Sequence, residues 1–298
     1  MDNLLHLLED NQNVAKIIGV HDVLSALIAE KQGFDAVWVS GLGVSTVRGV
    51  PDASILTVDD FLNVAANISD NIKLPIIVDC DSGFGNQNNI EYLVKSYEKR
   101  GISGICLEDK PFPKKNSFLE QDSIEDKYTF ATKIQMASKT KKSSSFVVIA
   151  RIESLIVNLG IEDALVRAKI YVDSGADAIL IHSKSEYDYS NIVEFADEFR
   201  KFDSTTPIII VPTTYPNISI ETCKNKKING IIYANQLLRA YLTTINQIAN
   251  TIKKESSTLS IEKSISSISD VFNITDTNHI KENELWASKY YNYLKNKY

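Results

Sequence analysis

The segment SGICLEDKPFPKKNS, residues 103–117, joins a short apolar run to a dense group of charged side chains. Its first part, SGICLE (103–108), has the length and composition of a buried β-strand, and the charges follow where that strand would end. Lysines at such a position offer contacts for an anionic substrate, and carboxylates offer ligands for a metal ion. The segment therefore indicates a catalytic site at the exit of a buried strand.

Seven further apolar runs of strand length recur along the chain at regular intervals. Between them, apolar residues return at three- and four-residue steps, as in Ile161, Leu165 and Ala168, which predicts amphipathic helices. Apolar strands that alternate with such helices indicate a parallel sheet covered by helices. Eight repeats without a glycine-rich nucleotide motif favour an α/β fold of the (β/α)8 TIM-barrel type over the alternative, an open doubly wound sheet. The predicted strands are VAKIIGV (14–20), DAVWVS (35–40), LPIIVD (74–79), SGICLE (103–108), FVVIAR (146–151), DAILIH (177–182), TPIIIV (206–211) and INGIIYA (228–234).

Two hydroxyl residues mark predicted helix starts after these strands. Thr57 precedes VDDFLNVAANI, and Ser123 precedes IEDKYTFATKI. A hydroxyl at such a position caps free amide groups of the first helical turn. We therefore predict helices that begin directly after Thr57 and Ser123.

The last segment of the chain, residues 253–298, differs from the rest in composition. It opens with the polar stretch KKESSTLS (253–260), continues with IEKSISSISDVFNI (261–274), and ends with Trp286 and several tyrosines. This order predicts a polar link followed by two helices that pack on the barrel exterior or on another subunit. The predicted domains are a catalytic barrel over residues 1–252 and a helical extension over residues 253–298.

Composition and charge limit the class of partner. The chain has 298 residues, of which 44% are hydrophobic and 23% charged, as is ordinary for a globular enzyme. Lys and Arg number 32 against 38 Asp and Glu, and the net charge of −6 argues against nucleic acid or an anionic membrane as a partner. The first ten residues lack a basic region and no apolar run approaches membrane-spanning length, so we expect a cytoplasmic protein. The three cysteines are widely spaced and support neither a disulfide framework nor a zinc site.

Polar residues follow nearly every predicted strand. In a (β/α)8 barrel, the chemistry takes place on the loops at the carboxyl ends of the strands. Polar groups at consecutive strand ends, on strands that are otherwise apolar, are therefore best explained as one charged crater. These strand ends are Ser40-Gly41-Leu42-Gly43, then Asp79, Asp81 and Ser82, then Glu108, Asp109 and Lys110, then Arg151 and Glu153, then His182 and Ser183, then Pro212-Thr213-Thr214 and finally Tyr233-Ala234-Asn235.

A metal site is predicted after the third strand. Asp79 and Asp81 are two residues apart, so they share a face if the strand continues through both, while Cys80 points the other way. Carboxylates at this spacing suit a hard cation, Mg²⁺ or else Mn²⁺, with Glu108 from the next strand as a third ligand, directly or through water. The alternative is that DCDSGFGN (79–86) is a turn with capping aspartates.

Several motifs in the strand-end loops occur together with Asp52: WVSGLGVS (38–45), DCDSGFGNQNN (79–89), EDKPFPKKNS (108–117), ARIES (150–154), HSK (182–184), VPTTY (211–215) and ANQLLRA (234–240). This combination resembles the phosphoenolpyruvate mutase family of the isocitrate lyase superfamily, over roughly residues 14–250. The most specific element of the resemblance is EDK followed, after five residues, by NS. It implies a (β/α)8 barrel that uses Mg²⁺ to bind 2-oxo acids and their enolates, and tetramers that exchange a C-terminal helix.

The resemblance also disfavours carbon–carbon cleavage. Isocitrate and methylisocitrate lyases carry a KKCGH or KRCGH motif in this loop, with a catalytic cysteine. Here Lys110 is followed by the sequence PFP, and the loop contains no cysteine. Cys106 lies inside the predicted fourth strand, where it is expected to pack as a small apolar residue.

For the substrate, the resemblance implies contacts from three strand ends. Arg151 and His182 would hold the transferring phosphoryl oxygens, Arg151 through its planar fork of donors. The backbone amides of Ser40, Gly41 and Leu42 would hold the carboxylate of the pyruvate moiety. The implied substrate-binding set is Ser40, Gly41, Leu42, Asp79, Arg151 and His182.

For catalysis, the resemblance implies an aspartate close to the phosphoryl group and a mobile loop. Asp52 would lie near the phosphorus and either receive or steer the phosphoryl group. Lys114, Asn116 and Ser117 would lie on a loop over about residues 111–121 that closes over the substrate and excludes water. The alternative is that PFPKKNS is an ordinary solvated loop. The implied catalytic set is Asp52, Lys114, Asn116, Ser117, Arg151 and His182.

Three functions compete on this fold. The first is a mutase that interconverts phosphoenolpyruvate and 3-phosphonopyruvate, the first step of phosphonate biosynthesis, coupled in function to a phosphonopyruvate decarboxylase. The second is a phosphonopyruvate hydrolase, a similar enzyme with threonine at the place of Asn116, so Asn116 favours the mutase. The third is a catalytically silent barrel that serves as a binding protein, which the complete set of charged strand-end residues disfavours.

Overall fold

Eight parallel strands close into a barrel in the computed structural model, which describes residues 3–119 and 123–298. The first strand pairs with both the second and the eighth, so the sheet has no free edge. The (β/α)8 prediction is therefore confirmed, and the open doubly wound sheet is excluded. The strands are β1 Ala15–Val20, β2 Ala36–Val39, β3 Ile76–Asp79, β4 Gly104–Glu108, β5 Val147–Ile152, β6 Ala178–Ile181, β7 Ile208–Ile210 and β8 Gly230–Tyr233.

Helices follow the strands, and their starts agree with only one of the two predicted caps. Thr57 caps its helix by accepting from the Asp60 amide, as predicted. Ser123 is not a cap, because that helix begins at Lys127 and Asp126 accepts from two amides of its first turn. The helices are α1 Leu4–Glu9, α2 Val23–Lys31, α3 Gly41–Val47, α4 Val58–Ser69, α5 Gln87–Lys99, α6 Lys127–Thr140, α7 Gly160–Asp173, α8 Ser190–Phe199, α9 Ile220–Asn225, α10 Gln236–Glu255, α11 Ile268–Ile274 and α12 His279–Lys297.

Alternate strand residues belong to two separate apolar cores. One core fills the barrel, and the other lies between the strands and the surrounding helices. Because successive side chains on a strand point to opposite faces, an inward Ile77 places Asp79 inward, and an inward Cys106 places Glu108 inward. The alternation thus aims the last residue of these strands into the barrel mouth. The core inside the barrel consists of Leu4, Leu8, Ala15, Ile17, Ala36, Trp38, Ile77, Cys106, Val147, Ile149, Ala178, Leu180, Ile209, Val211 and Ile232.

The short helix α1 belongs to the core inside the barrel. Leu4 and Leu8 are almost fully buried among the inward side chains of the strands. Two strands carry glycine where these leucines approach: an added Cβ at Gly104 would lie 3.0 Å from Leu4, and one at Gly230 would lie 3.3 Å from Leu8. The helix therefore closes the amino-terminal end of the barrel, which leaves the carboxyl end as the open mouth.

The chain forms two compact units, Met1–Arg239 and Ala240–Tyr298. In the second unit, α12 carries a row of exposed aromatic rings, with Trp286 and Tyr290 stacked at 5.4 Å and Tyr290 and Tyr293 at 6.0 Å between ring centroids. Within the described residues, none of the helices combines the length and the apolar character that crossing a membrane requires.

Candidate active site

A pocket lies at the carboxyl ends of the strands, where the inward residues meet the loops after β2 and β4. All of the predicted site residues except Gly41 and Asp81 line it. The side chains come from seven strands or the loops that follow them, which is how a barrel gathers residues that are distant in sequence. Its walls are Trp38, Ser40, Leu42, Asp52, Asp79, Glu108, Lys114, Asn116, Ser117, Phe118, Arg151, His182, Val211, Thr213, Ala234 and Asn235.

The predicted metal ligands lie on one side of this pocket, but not in the way that their spacing suggested. Strand β3 ends at Asp79, and Asp81 follows in a left-handed turn with φ of 49°. The premise that one strand continues through both residues is therefore wrong. The turn nevertheless brings them together, because the Asp81 amide donates to Asp79 Oδ1 at 3.3 Å. Ser54 donates to Asp81 Oδ2 at 3.0 Å.

The acidic side carries more negative charge than its hydrogen bonds compensate. Burial raises the pKa of Asp79, and it raises that of Asp81 to about 7. Glu108 Oε1 is buried and has no hydrogen-bond partner within residues 3–119 and 123–298. An orphaned carboxylate oxygen beside two further carboxylates is a donor set that fits a hard divalent cation. Among the described residues, however, no three acidic, histidine or cysteine side chains form a ready metal cluster.

A lysine ammonium lies among these carboxylates instead. Lys114 Nζ is 2.8 Å from Asp52 Oδ1 and 3.0 Å from Asp81 Oδ1, and all three side chains are nearly fully buried. Burial alone would lower the pKa of Lys114, but the surrounding carboxylates raise it well above its usual value. Lys114 therefore stays charged and supplies some of the positive charge that this side of the pocket needs.

Arg151 and His182 form the basic side of the pocket, and Glu153 holds them together. Arg151 Nε donates to Glu153 Oε1 at 2.6 Å, and His182 Nδ1 lies 2.9 Å from the same oxygen. Burial would raise the pKa of Glu153, but Arg151 and the neighbouring cations outweigh it and hold the pKa well below its usual range. Burial and the nearby Arg151 lower the pKa of His182, so its ring is neutral near pH 7. Glu153 thus orients both groups.

The loop after β4 folds over the pocket, and we call residues 111–119 the lid. Asn116 Nδ2 donates to Asp52 Oδ2 at 2.7 Å, while Lys114 contacts the other oxygen of the same carboxylate. Lys114 and Asn116 therefore face inward, which is not the behaviour of an ordinary solvated loop. The predicted end of this loop, Gln121, lies outside the described residues.

Ser117 ties the lid to the basic side. Its hydroxyl donates to Glu153 Oε2 at 2.8 Å and accepts from Arg151 Nη2 at 3.1 Å. Lys110 Nζ also donates to this hydroxyl. Lys110 is buried, and sequence reasoning included it in the motif without giving it a role.

Some of the backbone amides at the start of α3 that were predicted to bind the substrate carboxylate already have hydrogen-bond partners. The Ser40 amide donates to the carbonyl of Val20, and the Gly41 amide donates to Asp79 Oδ2 at 3.3 Å. Ser40 Oγ caps the helix by accepting from the Gly43 amide at 3.1 Å. An added Cβ at Gly41 would lie only 2.9 Å from Asp79 Oδ2, so a side chain here would displace the Asp79 carboxylate. Leu42 lines the pocket.

A buried cluster that supports the site from below was not predicted from the sequence. Asp109 Oδ1 accepts from the Glu153 amide at 2.8 Å, and its Oδ2 accepts from Tyr171 at 2.8 Å and Arg167 at 3.1 Å. Burial raises the pKa of Asp109 to about 7, and Arg167 opposes this shift. The cluster fixes the ends of β4 and β5 together. The spacing of Arg167 and Tyr171 at i and i+4 on a helix was the available signal.

Two aromatic rings were also missed as walls of the pocket. Trp38 is buried at the inner face of β2, and Phe118 lies on the lid with its ring edge-on to His182 at 6.4 Å between centroids. The apolar ring restricts water at the basic side. Neither ring belongs to a pattern that distinguishes a pocket wall from core packing.

Comparison with known proteins gives a consistent set of similarities. The model of the family described as phosphoenolpyruvate phosphomutase matches residues 4–253. A phosphoenolpyruvate phosphomutase of Tetrahymena pyriformis is 36% identical over 91% of this chain and 90% of its own length. The crystal structure of the phosphoenolpyruvate phosphomutase from Streptomyces platensis subsp. rosaceus is 37% identical, with a TM-score of 0.90, over 94% of this chain and 96% of that one. A phosphonopyruvate hydrolase solved in complex with oxalate and Mg²⁺ is 31% identical, with a TM-score of 0.86, over 95% and 97% of the two chains.

Proposed function

Because the chain belongs to the phosphoenolpyruvate phosphomutase family, we propose that it is a phosphoenolpyruvate mutase, an isomerase that interconverts phosphoenolpyruvate and 3-phosphonopyruvate. The reaction moves a phosphoryl group within one molecule, between the enol oxygen and carbon three. The observation that carries the proposal is the contact of Asn116 with Asp52, which closes the lid over the site of transfer. The reaction opens phosphonate biosynthesis, and a phosphonopyruvate decarboxylase draws its product away. Three buried free cysteines agree with a reducing, cytoplasmic location.

The basic side of the pocket holds the phosphoryl group in this proposal. A phosphoryl transfer with a loose transition state depends on positioning and charge stabilisation. Arg151 supplies a fixed cation, and its Nη2 lies 2.8 Å from His182 Nδ1. His182 Nδ1 lies within hydrogen-bond distance of both Arg151 Nη2 and Glu153 Oε1, so these two groups fix the orientation of its ring in the pocket. The other ring nitrogen, Nε2, is left to contact a transferring oxygen.

The acidic side holds Mg²⁺, or Mn²⁺, in this proposal. Asp79, Asp81 and Glu108 are the ligands, directly or through water, and the orphaned oxygen of Glu108 supports the assignment. When bound, the ion stabilises the negative charge of the carboxylate and enolate oxygens of the pyruvate moiety. Leu42 lines the pocket at the start of α3, and its amide would contact the carboxylate at this end of the substrate.

Asp52 steers the phosphoryl group in this proposal and does not receive it. Its two carboxylate oxygens accept separately from Lys114, at 2.8 Å, and from Asn116, at 2.7 Å. A carboxylate whose two oxygens both bind strong donors is a weak nucleophile, because its lone pairs are stabilised. The same contacts hold Asp52 in one place, where its charge repels the migrating group back toward the substrate.

The mutase differs from the hydrolase in how it treats water. The migrating group must recombine with the enolate before water reaches it, so the lid must stay closed during transfer. Asn116 is long enough to reach Asp52 from the lid and also accepts from the Phe118 amide at 3.1 Å. Threonine, which the resemblance places here in the hydrolase, is shorter by one atom and lacks the amide donor.

Replacing Asn116 with Thr is expected to raise phosphate release relative to isomerisation by about tenfold, since losing one charge-assisted hydrogen bond costs about 1.4 kcal/mol. The products from phosphonopyruvate are pyruvate, read by lactate dehydrogenase, and phosphoenolpyruvate, read after pyruvate kinase and ADP are added. Asn225→Thr, on the exposed end of α9, is the matched control and should leave the ratio unchanged. An unchanged ratio in Asn116→Thr would contradict the role of this side chain.

We also propose that the chain forms a homo-oligomer, a tetramer or dimer of dimers, in which the extension 253–298 exchanges between subunits around the catalytic barrel of residues 1–252. The stacked rings of Trp286, Tyr290 and Tyr293 support this, because an exposed aromatic row of this kind marks an interaction surface. A second copy of the chain is the partner.

The Trp286→Glu, Tyr290→Glu double variant is expected to shift the particle from four times the 33.3 kDa chain mass to a smaller species. Burying two carboxylates of the aromatic row in an interface would require a large desolvation free energy, so the subunits should separate. Lys295→Glu is the control, because nine residues from Trp286 it lies on the opposite side of the same helix. Light scattering after gel filtration measures the mass, and an unchanged mass of the double variant would exclude α12 as the interface.

A further inference from the structure

We propose that Lys110 is a positioning residue that latches the lid, and that it couples lid closure to the orientation of Arg151. Its catalytic consequence rests on the proposed mutase function, whereas the latch itself does not. Lys110 is the second residue after β4, next to the lid but outside it. No role followed for it from the sequence.

Lys110 holds two points of the lid at once. Its Nζ donates to the backbone carbonyl of Lys115 at 3.1 Å and to the hydroxyl of Ser117. The side chain is 2% exposed, so these contacts exclude water and are not loose surface pairings. A backbone carbonyl and a side chain from the same loop fix both the position and the rotation of the lid.

The ammonium group of Lys110 is anchored to the barrel, so it stays in place when the lid moves. Lys110 Nζ lies 3.2 Å from Glu153 Oε2 and 3.5 Å from Glu108 Oε2, and both carboxylates belong to the barrel and not to the lid. These two charges anchor the ammonium group in the barrel mouth. Lys110 is thus preorganised to bind the lid, and closure of the lid completes its hydrogen bonds without moving its side chain.

Ser117 connects the latch to the phosphoryl-binding side. Its hydroxyl accepts from Lys110 and from Arg151, and it donates to Glu153. A hydroxyl has one donor and two acceptor sites, so closure uses its full capacity. When the lid opens, the buried donors of Lys110 and Arg151 lose this partner together. Arg151 therefore has its complete set of contacts only when the lid is closed and water is excluded.

The competing explanation is that Lys110 only neutralises Glu108 and Glu153. That role would require the two ion pairs but not the lid contacts. Its loss would then lower stability without changing how often the lid opens in the folded protein. The two explanations differ in a property that can be measured without substrate.

Trypsin cleavage within the lid measures its opening. Lys115 is exposed but held through its carbonyl, and the bond between Lys110 and Pro111 resists trypsin, so replacing Lys110 removes no cleavage site. In native buffer, Lys110→Met is expected to raise the rate of cleavage after Lys115 at least about tenfold, as the loss of a charged hydrogen-bond donor implies. The control is Lys141→Met, which breaks a lysine–carboxylate pair with Asp177 away from the lid and should leave this rate unchanged.

A double-mutant cycle separates the latch from a general loss of charge. Lys110→Met is expected to raise the ratio of phosphate to phosphoenolpyruvate formed from phosphonopyruvate. Ser117→Ala should then raise the ratio less in Lys110→Met than in the wild type, because the contact between the two residues is already lost and only those of Ser117 with Arg151 and Glu153 remain to be broken. The proposal would be overturned if the effects of the two substitutions on the product ratio were fully additive. It would also be overturned if folded Lys110→Met were cleaved after Lys115 at the wild-type rate.

Two further outcomes keep the test decisive. If Lys110→Met does not fold, Ser117→Ala alone must raise the lid cleavage rate, and a wild-type rate in that variant overturns the proposal. If the lid cleavage rises as expected but the wild-type protein forms no phosphoenolpyruvate, the latch stands and the mutase function fails.

Discussion

Removing divalent metal with EDTA is expected to lower the turnover of phosphonopyruvate by at least about 10³-fold, and adding Mg²⁺ should restore it. The expected size follows from the several kcal/mol of charge stabilisation that a bound divalent ion supplies, at about 1.4 kcal/mol for each factor of ten. Asp79, Asp81 and Glu108 bring three buried carboxylates to one side of the pocket, and Lys114 alone does not compensate them. Mn²⁺ is expected to restore activity as well.

The matched variant for this experiment is Glu108→Gln. It keeps the shape of the side chain but removes the charge of the carboxylate whose Oε1 finds no hydrogen-bond partner in the part of the chain that the structure describes. We expect it to need about tenfold more Mg²⁺ for half-maximal activity, as ligand changes commonly do. Full activity of the EDTA-treated wild-type protein would show that the carboxylates are not a metal site.

Replacing Arg151 with Lys is expected to lower kcat by about 10²–10³-fold. This is the usual effect of removing one preorganised hydrogen-bond donor that stabilises the charge of the transition state. The guanidinium contacts Glu153 through Nε, and it contacts Ser117 and His182 through Nη2. A lysine keeps the charge but has one nitrogen in place of a planar fork, so it cannot make all of these contacts.

Arg48→Lys is the control for this substitution. Arg48 is about half exposed and pairs with Asp60 at the surface, so the same chemical change there should leave kcat unchanged. Thermal unfolding of Arg151→Lys separates a folded, slow enzyme from an unfolded one. A folded Arg151→Lys with kcat within about threefold of the wild type would exclude Arg151 from the chemistry.

The barrel could be predicted because its strands are buried on both faces. Such strands appear as apolar runs, and each observed strand lies within its predicted run or ends one residue beyond it, as β5 does at Ile152. The inward direction of Glu108 follows from alternation along β4. The strand ends therefore placed most of the pocket from sequence alone.

Local features that depend on tertiary contacts were not predictable. Ser123 is a good capping residue, but the helix begins four residues later, at Lys127. Asp81 leaves the strand in a left-handed turn that spacing alone does not indicate. Leu4 and Leu8 lie in a six-residue helix whose burial depends on two distant glycines.

The lid contacts were the hardest feature of the site to foresee. The motif EDKPFPKKNS contains three lysines with no difference in local pattern, yet Lys110 is buried beside Glu153, Lys114 is buried between Asp52 and Asp81, and Lys115 is exposed. Which lysine points inward depends on how the loop folds back over other strands. Such contacts join residues that are distant in sequence, so no local pattern predicts them; Ser117 and Glu153, for example, are 36 residues apart.

The central claim is that this chain isomerises phosphonopyruvate with the phosphoryl group kept from water, and phosphorus NMR tests it most directly. The wild-type protein is incubated with phosphonopyruvate and Mg²⁺, and the phosphorus signals are followed over time. The account predicts loss of the phosphonate signal and growth of a phosphoenolpyruvate signal, with little free phosphate. Growth of free phosphate alone would instead indicate the hydrolase, and an unchanged spectrum would contradict catalysis at this pocket altogether.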